Sequence, residues 1–270
     1  MAGGNQQGNG INQLSNPWGL YVDDDQTIYV AEWSNHRIGE WKQGATNGQV
    51  VAGGNGQGIS SYAILGMEEW FDGLVEMGQV EKQSSPTSYV GLTMDENGSL
   101  YVTDGGKTEV RRYRRGESQG TVVAGGNGRG NRLDQLFYPE HVFVDRDHSV
   151  YVSDGDNHRV MKWMEGAKQG IVVAGCQEEG NGLTQLSYPG GIVVDQLGTV
   201  YVADRGNNRI MRWPKGATQG SVIVGGNGSG EQSNQLNEPI GLSFDRHGNI
   251  YVVGFGNHRV QKFELQSNPN

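Results

Sequence analysis

A tyrosine–valine pair returns through this chain at a fixed step. Tyr101, Tyr151, Tyr201 and Tyr251 each precede a valine and lie 50 residues apart, and Tyr29 heads an earlier copy. Around each pair runs one unit: P-x-G-φ-x-φ-D, a turn, φ-Y-V-x-D, a turn, N-H-R-φ-x-x-W, then G-A-x-x-G-x-V-V-A-G-G-N-G. A period of about 40–50 residues restricts a chain to a propeller or a solenoid. Inside the unit, apolar residues alternate with period two, the mark of strands. In the copy opening at Pro189, the strands are read as GIVVD, VYVAD, NRIMRW and SVIVGG, here called a to d. Four short antiparallel strands per unit match a propeller blade, and no unit carries the 3.6-residue period of a helical solenoid.

The glycines fit this reading. They number 45 of 270 residues, against roughly 7% in an average protein, and hydrophobic residues reach only 34%. Such a composition disfavours a large helical core, since each interior glycine costs about 1 kcal/mol relative to alanine. With no Gly-X-Y period, collagen is excluded. Most glycines stand at turns needing positive φ and at the AGGNG ends of strand d. Apolar runs fall short of the roughly 20 residues that cross a bilayer, so no membrane segment is expected in this chain.

The two ends complement each other. The last unit stops after strand c at HRVQKFEL, and the opening MAGGNQQGNG matches strand d and the following loop, as in VVAGGNGRGN. The N-terminal strand is therefore expected to complete the C-terminal blade and close the ring, which removes open edges. Met1 then falls inside a strand, so the start reads as trimmed and the missing signal peptide decides little. The compartment stays open between extracellular and cytoplasmic.

Asn35-His36-Arg37 recurs as Asn157-His158-Arg159 and Asn257-His258-Arg259, with Asn207-Asn208-Arg209 as a variant. With the preceding Y-V-x-D, these residues resemble the NHL repeat across most of the chain outside 59–90. The resemblance implies a β-propeller, commonly six-bladed, in a family of mixed roles. Those include protein binding, single-stranded RNA binding beside ubiquitin-ligase modules, extracellular sensing, and one metal-dependent amidating lyase branch. Fold does not choose among them. The expectation is an all-β propeller of four-stranded antiparallel blades over 1–270, ancestrally six-bladed with the second blade degenerate.

Degeneracy shows in spacing. Gly19 and its equivalent Gly91 lie 72 residues apart, and the stretch 59–90 lacks the pattern. Reading that stretch in a shifted frame allows the D-x-G-N-x-R-x-x-R-W skeleton of the neighbouring repeat. Some shifted residues are forced: glycine from Met67/Glu68, valine from Trp70/Phe71, glycine from Met77/Gly78. The segment is read as a lost blade out of frame, with a true insertion forming a lid helix as the rival.

Candidate chemistry is mostly absorbed by the repeat. The histidines of the triplet are one structural position seen three times, expected to hydrogen-bond within or between blades together with Arg37, Arg159, Arg209 and Arg259. The acids closing strand b, Glu32, Asp104, Asp154 and Asp204, read as fixing the b–c turn. His141 replaces a repeated glycine near the entrance to strand a. A catalytic zinc needs about three converging ligands, and no such set is read. Hence no metal, cofactor or catalytic residue is expected, and the chain is read as not an enzyme.

Binding chemistry is sought where the frame varies. The b–c tips carry Trp33, Lys107, Asp156, Arg205 and Phe255, and the strand a entrance of the first unit carries Trp18. Variable side chains on a repeated frame are where such rings bind partners. Trp18 with Trp33 would make an aromatic anchor of the hot-spot kind. The favoured reading is a non-catalytic interaction domain presenting its b–c and d–a loops to a protein. An RNA-binding domain comes second. Arg111, Arg112, Arg114 and Arg115 surround Tyr113, but a net charge of −9 has the wrong sign for phosphate, and Arg112 and Arg114 read as a solvated strand face. A metal-dependent lyase comes third.

Overall fold

The structure, a computed structural model, describes residues 2–53, 89–114, 117, 119–176 and 178–265. They divide between two compact units, one drawn from Met1–Ile64, Val202–Arg212 and Ser221–Asn270, the other from Leu65–Tyr201 and Trp213–Gly220. The first blade holds β1 (Pro17–Val22), β2 (Ile28–Glu32), β3 (Arg37–Trp41) and β4 (Gln49–Gly53). The second holds β5 (Tyr89–Met94), β6 (Leu100–Asp104), β7 (Glu109–Tyr113) and β8 (Thr121–Gly125). The third holds β9 (Pro139–Val144), β10 (Val150–Asp154), β11 (Arg159–Trp163) and β12 (Ile171–Gly175). The fourth holds β13 (Pro189–Val194), β14 (Val200–Asp204), β15 (Arg209–Trp213) and β16 (Ser221–Gly225). The fifth holds β17 (Pro239–Phe244), β18 (Ile250–Gly254) and β19 (Arg259–Phe263).

Each sheet keeps its strands in sequence order. The fold is an all-β propeller of antiparallel four-stranded blades, and the described residues make five blades, not the six expected. The reason lies in length: the 72 residues from Gly19 to Gly91 exceed one unit by 22, less than half of another. The aberrant segment 59–90 lies, save for Tyr89 and Val90 at the start of β5, outside the described residues. The fifth blade borrows from the chain start as expected. Gly3 bridges Arg259, and Val260 donates its N–H to the Ala2 carbonyl at 3.0 Å.

Blades pack through their first strands. In the first unit β1 lies against β17 and β18; in the second, β9 lies against both β5 and β13. Between them sit the inward faces of strands a and b, among them Leu20, Val30, Ile240 and Val253 in the first unit and Val142, Val150 and Val152 in the second. One leucine from each described d–a loop, Leu14, Leu136, Leu186 and Leu236, is fully buried. A side chain of that size contributes about 1.5–3 kcal/mol when buried. The aspartate after strand a ties the a–b turn. Asp145 accepts Ser149 N–H at 2.9 Å on one oxygen and the Tyr151 hydroxyl at 3.1 Å on the other. Burial works against its charge, yet the Ser149 N–H and the Lys162 ammonium hold its pKa below the ordinary aspartate value.

Candidate interaction face

The b–c turn is built from one clamp. In the third blade Asp154 closes β10 and Arg159 opens β11, both fully buried, with Arg159 Nε 2.8 Å from Asp154 Oδ2. Asn157 donates to the same carboxylate at 2.8 Å and to the Gly130 carbonyl at 2.9 Å. The guanidinium then donates to the carbonyls of Asn131, Arg132 and Gln135 in the preceding loop. Phe137 N–H fills the other Asp154 oxygen at 2.6 Å. Burial raises the Asp154 pKa, opposed by these donors. The first blade repeats the clamp with Glu32, Asn35 and Arg37 against Gly8, Asn9, Gly10 and Gln13. In the fourth, Asp204 holds Asn207 and Arg209. The fifth lacks the acid at Gly254, and Gln261 receives Arg259 Nε at 2.9 Å instead, while Asn257 and Arg259 still grip Gly230, Glu231, Gln232 and Gln235.

The middle residue of the triplet reaches to the next blade. His158 Nδ1 accepts Tyr188 N–H at 3.3 Å, and His258 Nδ1 accepts Asn16 N–H at 3.2 Å. Asn208 Oδ1 accepts Glu238 N–H at 2.9 Å. Imidazole Nδ1 and amide Oδ1 sit at equivalent distance from the backbone, which explains the His-to-Asn variant. All three residues adopt left-handed φ of 48–52°, a region Asn and His tolerate better than most. The expected bonding within and between blades is therefore found, divided between Arg and His.

On this frame the variable side chains are displayed. A register shift opens strand a: the pairing skips from Pro17 to Gly19 in β1, from Pro139 to His141 in β9, and from Pro239 to Gly241 in β17. The bulged residues are Trp18, Glu140 and Ile240, and a bulge re-aims its side chain. Trp18 thereby meets Trp33, with ring centroids 5.9 Å apart and planes tilted by 47°. It also meets Phe255 edge-on, at 5.9 Å and 89°. Trp33 is 49% exposed. Trp18 and Phe255 are half-buried on the core of the first unit. Asn16 Nδ2 donates to Ser34 Oγ at 2.8 Å, so the loops that carry the two indoles are joined by a neutral polar pair.

Three of the six predicted site residues therefore converge. Arg205 opens the 3-10 turn Arg205–Asn207, where its carbonyl accepts Asn208 N–H. In the second unit, Lys107 turns its ammonium to Asp104 at 3.7 Å, and Asp156 lies in the 3-10 turn Gly155–Asn157 with its N–H on the Phe137 carbonyl.

Two exposed aromatics on the d–a loops escaped the sequence reading. Tyr138 is 43% exposed and Tyr188 is 37% exposed, and Tyr188 stands edge-on to His158 at 4.8 Å. Their signal was the residue before each strand a proline, where other units carry Asn16 and Glu238. His141, in β9, bonds to β13 of the next blade. Its Nδ1 accepts Ile192 N–H at 3.4 Å, wedged between inner strands, and burial pushes its pKa down to about 4. Arg112 corrects the solvated-face reading: its side chain is 15% exposed, and its Nε is buried without a hydrogen-bond partner among the described residues. No group of three or more His, Cys, Asp or Glu side chains placed to hold a metal occurs among the described residues.

A blade frame of this kind, with the clamp recurring in the first, third and fourth blades and, without its acid, in the fifth, and with variable tips, defines a repeat propeller. In the second blade Glu109 stands where the others place the arginine. The NHL repeat is matched at residues 14–41, 186–212 and 236–263, and the chain is an NHL-repeat protein. No curated protein matches it. Among solved structures it is similar to a Bacteroides thetaiotaomicron protein of unknown function, at 13% identity and TM-score 0.70, over 97% of this chain and 72% of that one. It is also similar to virginiamycin B lyase from Staphylococcus aureus, at 14% identity and TM-score 0.54, over 97% and 89%. A chain of a nidogen–laminin complex matches at 16% identity and TM-score 0.52, over 94% and 78%. These likenesses concern the fold. No helix among the described residues is long and apolar enough to cross a membrane.

Proposed function

We propose that this chain is a non-catalytic interaction domain that engages a protein partner through the loop face carrying Trp18, Trp33 and Phe255. The observation that carries the reading is their convergence from two blades onto one exposed corner. Aromatic rings in contact contribute about 0.5–1.5 kcal/mol beyond their burial, and exposed tryptophans of this kind act as interface anchors. The likeness to a chain of a nidogen–laminin complex agrees with that use of the fold.

The lyase reading is second, on the likeness to virginiamycin B lyase. RNA binding is third, because the net charge of −9 repels phosphate. The test uses the full chain and its Trp33→Ala and Trp18→Ala variants as bait, compared by quantitative mass spectrometry. A protein retained by the parent and lost from both variants supports the reading. Binding of a single-stranded RNA pool, or cleavage of a streptogramin with added divalent metal, would overturn it.

The blade count belongs to the same account. We infer six ancestral blades, the lost one being the frame-shifted stretch 59–90. Coding DNA whose codons cannot spell the repeat skeleton in the shifted frame would sink that history.

A further inference from the structure

One groove of the second unit breaks the polar pattern of its siblings. It encloses about 1310 Å³ between the a–b and c–d turns of the third blade and those of the fourth, with β12 along its wall. Each of those turns has equivalents elsewhere in the repeat. Every a–b turn closes with the N–H of its aspartate on the carbonyl four residues on, at Asp23, Asp95, Asp145, Asp195 and Asp245. Two residues after that aspartate stand Asp25, Asn97, Asp147 and His247, but Leu197 in the fourth blade. The residue after the strand c aromatic is Lys42, Arg114 and Glu264 in three blades, but Met164 and Pro214 here. Strand d opens with Gln49, Thr121 and Ser221, but with Ile171 in the third blade.

All four apolar residues line that groove. Leu197 is 81% exposed, Met164 60% and Ile171 51%, and Pro214 is exposed with them. A single exposed apolar side chain is ordinary, whereas four gathered in one concavity mark an interaction surface. Folding does not require them, because the sibling blades build the same turns with polar residues. The charges of the groove are of both signs. Lys162 is paired with Asp145 at 3.2 Å. Arg146, Asp147 and Lys215 make no ion pair among the described residues, and Glu165 lies 3.5 Å from Arg112. Beside that internal pair, Arg146 and Lys215 are set against Asp147 and Glu165, a local balance on a chain of net charge −9.

We propose that this groove is the contact of a homodimer, in which two copies of the chain meet about a two-fold axis with Met164, Ile171, Leu197 and Pro214 at its centre. Such a contact requires a patch that complements itself. Two copies of a chain this acidic repel each other, and a patch balanced in sign is where they repel least. Asp147 of each copy faces Arg146 and Lys215 of the other, while the apolar side chains leave water between them. A uniformly basic partner would clash with Arg146 and Lys215, and a uniformly acidic one with Asp147 and Glu165. The surface is independent of the aromatic corner, which belongs to the first unit.

The test measures the mass of the full chain by sedimentation equilibrium from about 1 to about 200 μM. Twice the chain mass is expected at the upper end. Leu197→Asp and Ile171→Thr copy the sibling residues Asp147 and Thr121. Both should keep the parent melting temperature and weaken the dimer at least about tenfold. Asp147→Lys and the double variant Arg146→Glu/Lys215→Glu should each be monomeric alone and form a dimer when mixed. Four results overturn the proposal: a monomer throughout the range, a dimer untouched by Leu197→Asp and Ile171→Thr, a dimer lost only in Trp33→Ala, or charge variants that fail to complement each other.

Discussion

The turn tips of the first and third blades stand on the same frame and present opposite chemistry. Beneath the first, Glu32, Asn35 and Arg37 clasp the preceding loop; beneath the third, Asp154, Asn157 and Arg159 do so with the same donors and acceptors. Above the frame, the bulged residue of the first blade is Trp18, in ring contact with both Trp33 and Phe255. The bulged residue of the third is Glu140, buried beside Gly155. The frame thus fixes where a tip side chain goes and leaves its identity open. Stability resides in the clamp and recognition in the tip, so substitutions at the two levels should separate.

The largest expected effect on stability comes from breaking a clamp. Arg159→Ala leaves the buried Asp154 carboxylate and three loop carbonyls without their donor. A loss of about 3–5 kcal/mol in denaturant unfolding is expected. A loss under 1 kcal/mol would show that the clamp is not the frame.

Next comes His141, whose folded pKa of about 4 lies below the unfolded value of about 6.5. The unfolded state therefore binds the extra proton, and stability falls as pH drops from about 6.5 to about 4, by about 3 kcal/mol in all. Unfolding midpoints measured across that window should slope for the parent and flatten for His141→Asn, whose amide oxygen can still accept Ile192 N–H.

A smaller effect tests the blade-to-blade acceptor. His158→Ala should cost about 1 kcal/mol, the net worth of one hydrogen bond. His158→Asn should cost almost nothing, because Asn208 already does this work in the next blade. Equal losses for both variants would remove the acceptor from the account. The smallest change in stability, within about 0.5 kcal/mol, belongs to exposed Trp33→Ala. The same variant should cost a bound partner about 2 kcal/mol or more, read as a Kd ratio. A stability loss of several kcal/mol at Trp33 would erase the contrast between frame and tip.

Much of this was legible because repetition acts as an internal control. The alternation in VYVAD and the aromatic at Trp163 or Trp213 recur at one spacing, so strands b and c and their buried faces could be read directly. The meeting of Trp18 with Trp33 followed from their places in one unit. Phe255 is legible as a tip residue, but its contact with Trp18 depends on a bulge, a backbone event with no residue signature in these strands. Tyr138 and Tyr188 were hidden for a similar reason: they occupy a left-handed position before proline that elsewhere holds polar residues. Arg112 was misplaced because alternation assigns a face without saying what packs on it. It pairs with Tyr101 across the strands, and a neighbouring blade's Glu165 sits 3.5 Å from its guanidinium.

The clamp also sets the unit in which such a chain can be copied. Asn157 and Arg159 hold carbonyls 24–28 residues upstream, in the loop that precedes their own blade. The closed module therefore runs from a d–a loop to the end of strand c; the matched repeats, as in 236–263, end with the same strand but begin just after the clamped loop carbonyls. Strand d falls outside it. Inheritance and architecture are out of phase by one strand: a duplicated cassette arrives clamped and complete except for its outermost strand, which the next cassette, or the opposite end of the chain, must bring.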